Sequence, residues 1–148
     1  MKSFLLKEKK PLIKWGSLPD KTYFEGTVPE GYSLAVSPSE EYVVVDVDRH
    51  GKIDGFDNIP KKIQTELNKS LSYPTKNNGR HYWLRYTGSR LLGNKTSGLG
   101  IDLRVGGKGY VVYYPKNDIR EQMYLVKDSS KELNFWLEKL FSYKHMEL

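Results

Sequence analysis

Tyr42-Val-Val-Val-Asp46-Val-Asp48, leading into Arg49-His50-Gly51-Lys52, is the stretch on which the fold turns. A run of β-branched residues suits a pleated, half-buried surface better than a helix, so it reads as a buried strand. Successive side chains on a strand point to opposite faces. Val43, Val45 and Val47 therefore share one face, and Asp46 and Asp48 project together from the other. Two carboxylates on one face repel, the more so when partly buried, and a divalent cation turns that repulsion into attraction. Taken alone, the same spacing equally describes two solvated aspartates where a strand runs out into a loop.

Outward from this strand, Ile59, Ile63, Leu67 and Leu71 recur every four residues, with Pro60 suited to a first helical turn. Ser72 to Thr75 reads as extended, Asn77-Asn78-Gly79 as a turn, and Arg80 to Tyr86 as a strand. Leu91 to Leu99 is polar and contains glycine, which marks a loop. Ile101 to Val105 and Tyr110 to Tyr114 flank Gly106-Gly107-Lys108-Gly109 and predict a hairpin. Met123 to Val126 reads as a short strand. Leu133, Trp136, Leu137, Leu140 and Phe141 mark one face of a last helix, with Ser129 and Glu132 spaced as a capping box. Residues 11–31 read as irregular, anchored by Trp15. The sum is an α+β chain: a mostly antiparallel sheet with a few packed helices, expected to form a single domain over residues 1–148.

The composition narrows the chemistry. The chain has no cysteine, which excludes a disulfide framework and a cysteine-ligated zinc site. His50, His81 and His145 lack metal-ligand spacing. The apolar run at the N-terminus is too short for a signal peptide, and no stretch approaches a spanning helix, so a soluble protein without membrane contact is expected. The net charge of +6 suits a polyanionic partner, although lysine-rich surfaces also simply solubilise. No arrangement of Ser or Cys with His suggests a covalent nucleophile, and the glycine turn at 106–109 lacks the spacing of a phosphate-binding P-loop. Tyr113 or Tyr114 is a candidate for stacking on a base, with sheet packing the commoner role of a strand tyrosine.

Residues 46–57 admit a second metal reading. Asp46, Asp48, Asp54 and Asp57 fall at positions 1, 3, 9 and 12 of a calcium-binding EF-hand loop, with Gly51 at position 6. His50 at position 5 and Asp at position 12 depart from that pattern. Such a loop also needs a helix before it, where this chain has strand character.

Three segments stand in an order that resembles the prim-pol domain of the archaeo-eukaryotic primase superfamily, of the phage and plasmid bifunctional primase-polymerase type. They are Val43-Val-Val-Asp46-Val-Asp48, then Tyr73-Pro-Thr75-Lys-Asn-Asn-Gly79-Arg80-His81, then Gly100-Ile-Asp102-Leu-Arg104 with the glycine-rich strand to Pro115. The resemblance implies an RRM-like sheet and a primase-polymerase core. It implies metal-dependent nucleotidyl transfer with Mg²⁺ or Mn²⁺ on a single-stranded DNA template, using NTPs or dNTPs. By it, Asp46, Asp48 and Asp102 are the catalytic metal-binding triad, and His81 contacts the incoming nucleotide's phosphates. Arg104, two residues from Asp102 on one strand face, is a candidate phosphate contact or a salt-bridge partner that orients Asp102. Lys76, Asn77 and Arg80 are candidates for the triphosphate clamp. Asn77 and Asn78 stand where the family often has Ser and Gly. A zinc stem is not expected without cysteine, and a helicase would be a separately encoded partner. The expected location is cytoplasmic, in the host if the gene is phage-borne. A non-catalytic single-stranded nucleic-acid-binding module with the same fold is the alternative.

Overall fold

The computed structural model describes residues 1–142; His145 lies outside them. In chain order the strands are β1 (Lys2–Lys7), β2 (Lys10–Pro11), β3 (Tyr32–Ser37), β4 (Tyr42–Val47), β5 (Arg49–His50), β6 (Ile53–Asp54), β7 (Ser72–Pro74), β8 (Arg80–Arg85), β9 (Lys95–Thr96), β10 (Ile101–Val105), β11 (Val111–Val112) and β12 (Lys127–Asp128). The helices are α1 (Lys61–Leu67), α2 (Ile119–Gln122) and α3 (Lys131–Phe141). The larger sheet runs β12-β8-β4-β10-β9, with β7 also on β8, and the smaller runs β11-β3-β1-β2. Among the described residues all strand pairings are antiparallel except β12 with β8. The chain is thus α+β with mostly antiparallel sheets.

The valine run builds the centre of the larger sheet. Val43, Val45 and Val47 bury against Ile63 and Leu67 of α1 and Leu133, Leu137 and Phe141 of α3. On the opposite face Val44 and Trp83 pack with Val36, Val111 and Tyr113 of the smaller sheet and its continuation. The face that carries Asp46 therefore looks toward the second sheet, not toward the helices. Phe4, Trp15 and Tyr110 form a separate aromatic cluster, with Phe4 stacked on Trp15 at 5.7 Å, which is how Trp15 anchors the irregular segment.

Several expectations need correction. The hairpin across Gly106–Gly109 does not form: β10 pairs with β4 and β9, whereas β11 pairs with β3 of the other sheet. A methyl group on Gly106 would fall 1.7 Å from the Ser39 carbonyl oxygen, so the chain presses against the β3–β4 connection and crosses between sheets there. Residues Met123–Leu125 make a 3₁₀ turn, and the strand is displaced to β12. Pro60 precedes α1 as its cap residue, and Leu71 leaves the helix to join the intersheet cluster. The cap of α3 is Ser130, whose hydroxyl accepts from the Leu133 amide at 3.2 Å. Ser129 instead bonds Thr87 and Asn134. The polar loop contains β9. No helix among the described residues is long and apolar enough to cross a membrane.

The loop at 46–57 is not an EF-hand. A strand precedes Asp46, and residues 49–54 form the ladder of β5 with β6. Asp54 is committed locally: it accepts from the Phe56 amide at 2.9 Å and pairs with Arg49 at 3.1 Å.

Candidate active site

Strand register assembles the site. Asp46 on β4 lies opposite His81 on β8 and opposite Asp102 on β10, so three central strands contribute a row across one face. Asp48 follows the end of β4. Its amide donates to the Gly100 carbonyl at 2.8 Å and its carbonyl accepts from the Gly55 amide at 2.8 Å, which fixes its backbone beside Asp102's strand. Asp46, Asp48 and Asp102 each offer one oxygen, and these lie within 4.8 Å of one another.

The electrostatics are those of an uncompensated acidic group. Burial, then the neighbouring Asp46 charge and a hydrogen bond with it, push the Asp48 carboxyl up to about 6. Burial and the Asp46 charge also raise Asp102, against the opposing pull of Arg104. His81 Nε2 comes within 3.3 Å of Asp46 Oδ1. It lies off the line of a hydrogen bond, and Oδ1 is buried with no hydrogen-bond partner. A buried carboxylate oxygen left unpaired is costly unless a cation or donor completes it. Three converging carboxylates, one with an orphaned oxygen, are the hard oxygen donors that a divalent cation takes, so the residues present fit such an ion.

The other predicted residues divide. Arg104 is on the Asp102 face, two positions along β10; it lowers the Asp102 carboxyl through space, and its guanidinium donates to the Leu103 carbonyl at 3.3 Å. Lys76 and Asn77 are exposed in the turn between β7 and β8. That turn is held close to β4, because a methyl on Gly79 would lie 2.3 Å from the Val47 carbonyl oxygen and 3.4 Å from Asp48 Cα. Arg80 is not brought to the group. Strand alternation sends it with Tyr82 and Leu84 to the opposite face, where its Nε donates to Ser72 Oγ at 2.9 Å.

Nothing in the sequence pattern assigned His50 or Tyr73 a place here. His50, on β5, lowers both Asp48 and Asp102 electrostatically, and the short β5–β6 ladder is too local a signal to reveal this. Tyr73 pairs across the ladder with His81. Of the two tyrosines considered for stacking, Tyr113 is buried, while Tyr114 is 42% exposed with its ring 6.0 Å from that of His81. Burial, with the charges of Asp46 and Asp48, raises the Tyr114 hydroxyl against the opposing influence of the Lys76 backbone. Tyr114 also lines a cleft of about 670 Å³, bounded by Phe24, Leu34, Lys116 and Ile119 among others, whose walls include none of the three aspartates.

The model of one protein family, bifunctional DNA primase/polymerase N-terminal (Prim-Pol), matches residues 9–136. No curated protein matches the chain. The chain belongs to the Prim-Pol family, whose activity is nucleotidyl transfer of the DNA primase or polymerase type, generally metal-dependent, with DNA template and nucleotides as substrates.

Proposed function

For a chain of this family, we propose DNA primase and/or DNA polymerase activity on a single-stranded template, in the replication of a phage or plasmid. The observation that carries this reading is the convergence of Asp46, Asp48 and Asp102 beside His81, on the face of the larger sheet that looks toward the second. The three aspartates would hold Mg²⁺ or Mn²⁺, which when bound supplies charge neutralisation for the attacking hydroxyl and the leaving pyrophosphate. Asp46 would offer its unpaired oxygen, and the cation's charge would offset the burial and mutual repulsion that raise Asp48 and Asp102.

The remaining residues would bind and orient the nucleotide. His81 would donate from Nε2 to a phosphate oxygen. Lys76 and Asn77, exposed on the turn held against β4, would bracket the triphosphate from one side, and Arg104 would approach it along β10 with a planar fork. Tyr114, with its ring 6.0 Å from that of His81, would offer a face to the nucleoside. The Prim-Pol segment, residues 9–136, would act as one catalytic domain, with a helicase as partner.

The test is primer synthesis and extension on single-stranded DNA with labelled NTPs and dNTPs, in Mg²⁺ and in Mn²⁺. Asp46→Asn and Asp48→Asn should each lower product formation by about 10²-fold or more, because a metal ligand supports several kcal/mol of transition-state stabilisation. Full activity in either variant overturns the triad. Salt-sensitive binding to single strands with no turnover in either metal would assign the chain instead to the non-catalytic binding modules.

A further inference from the structure

We propose that Tyr73, itself held by Trp83, sets the tautomer of His81 so that its Nε2 carries the proton and faces the acidic group. Tyr73 is therefore a positioning residue of the site.

The three side chains form a directed chain. Trp83 Nε1 lies 3.0 Å from the Tyr73 hydroxyl, and His81 Nδ1 lies 3.2 Å from the same oxygen. All three residues are buried, with at most 5% of each exposed. An indole N–H can only donate, so the phenol oxygen accepts from Trp83. The phenol proton must then go elsewhere, and His81 Nδ1 is placed to accept it. Were Nδ1 protonated instead, the tyrosine oxygen would face two N–H donors and its own proton would lack this acceptor. On the far side of the ring Nε2 lies 3.3 Å from Asp46 Oδ1 without a hydrogen bond, so the Tyr73 side is what fixes the proton's place.

The backbone makes this arrangement repeatable. Tyr73 and His81 are direct cross-strand partners on β7 and β8, and Trp83 lies two residues beyond His81 on the same face. The tyrosine ring packs edge-on against both His81 and Tyr113 at 5.3 Å, so it has little room to turn away. Because Nε2–H makes no hydrogen bond to Asp46 Oδ1, it is left to donate to an anionic oxygen arriving at the triad. The tautomer itself needs no assumption about activity; its kinetic consequence rests on the proposed nucleotide transfer.

The two parts are separated by experiment. Ring ¹⁵N spectra of the metal-free protein, with the His81 signal assigned by its loss in His81→Gln, should show Nε2–H in the wild type. In Tyr73→Phe, checked for folding by circular dichroism, the Nδ1 resonance should move toward that of a ring nitrogen that accepts no hydrogen bond. Nδ1–H in the wild type, or an unchanged spectrum in Tyr73→Phe, overturns the proposal whatever the protein's activity. With nucleotide as the probe, Tyr73→Phe should raise the nucleotide Kd or KM by about tenfold, the size of one charge-assisted hydrogen bond, with kcat within about twofold. In a His81→Gln background, where no tautomer exists to set, Tyr73→Phe should add less than about twofold. An equal loss in both backgrounds would show that Tyr73 merely supports the fold and would overturn its positioning role.

Discussion

Asp48 shows how far the site departs from ordinary surface chemistry. Its carboxyl is raised to about 6 by burial and by Asp46, and Asp102 is raised for the same two reasons. A group whose folded value is raised binds its proton more tightly folded than unfolded. Between the ordinary carboxyl value near about 4 and the raised one, folded stability is therefore lost as pH rises. The metal-free protein should accordingly gain from Asp48→Asn at pH 7, and the two proteins should converge near pH 4. The expected gain in Tm is about 2–4 °C, the size of roughly 1 kcal/mol once solvent screening is allowed for. Asp20, Glu66 and Asp118 are lowered and act in the opposite direction, but they are common to both proteins and cancel in the difference. Mn²⁺ should reverse the order by stabilising the wild type alone. Thermal melts across pH, with and without Mn²⁺, check this; equal melting at pH 7 would mean that the acidic group carries no repulsion.

At the scale of elements, the turn between β7 and β8 is the piece whose placement matters most. Gly79 lets it approach β4: an added methyl would lie 2.3 Å from the Val47 carbonyl oxygen and 2.8 Å from Thr75 Oγ1. Gly79→Ala must therefore push the turn away, costing about 1–3 kcal/mol as overpacking typically does. Because the turn carries Lys76 and leads into His81, nucleotide affinity should fall with stability. Gly16→Ala, where a methyl would meet nothing within 4 Å, is the control. Urea denaturation and nucleotide binding measure the two effects, and a Gly79→Ala protein of native stability and affinity would place the turn elsewhere. The turn type was legible from Asn77-Asn78-Gly79, with Asn78 in the left-handed region at φ 61°. Its contact with β4 was not, because that approach depends on a pairing between distant strands.

For the molecule as a whole, the charge of +6 is unevenly spread. Lys2, Lys7, Lys9, Lys10, Lys14 and Lys21 meet only Glu8 and Asp20 within the first 21 residues, and Asp20 pairs with the N-terminal amine. Lys9, Lys10 and Lys14 are exposed beside the exposed apolar side chains of Leu12 and Ile13. If this edge of the smaller sheet carries template, replacing those three lysines by Gln should weaken single-strand binding. The slope of log K against log salt should flatten by up to about 2, at roughly 0.7 per lost phosphate contact. Fluorescence anisotropy over a salt series reads this directly, and an unchanged slope would send the template to another face.

Local pattern alone decided which residues form β4 and α3 and which face each presents. Period-two alternation in Tyr42–Asp48 and the i, i+3, i+4 spacing in Leu133–Phe141 are properties of neighbouring residues. The same alternation placed Asp46 and Asp48 on one side, and the ordered motifs brought Asp102 and His81 into consideration. What only the tertiary structure decided is which strands meet. β10 sits in register with β4, so Asp102 faces Asp46, while β11 crosses to the other sheet. Strand pairing also brings His50 near the group, and the β7–β8 ladder sets Tyr73 opposite His81. Register and sheet membership arise from contacts between residues far apart in the chain, stabilised by burial on both faces of the larger sheet, and local periodicity holds no record of them.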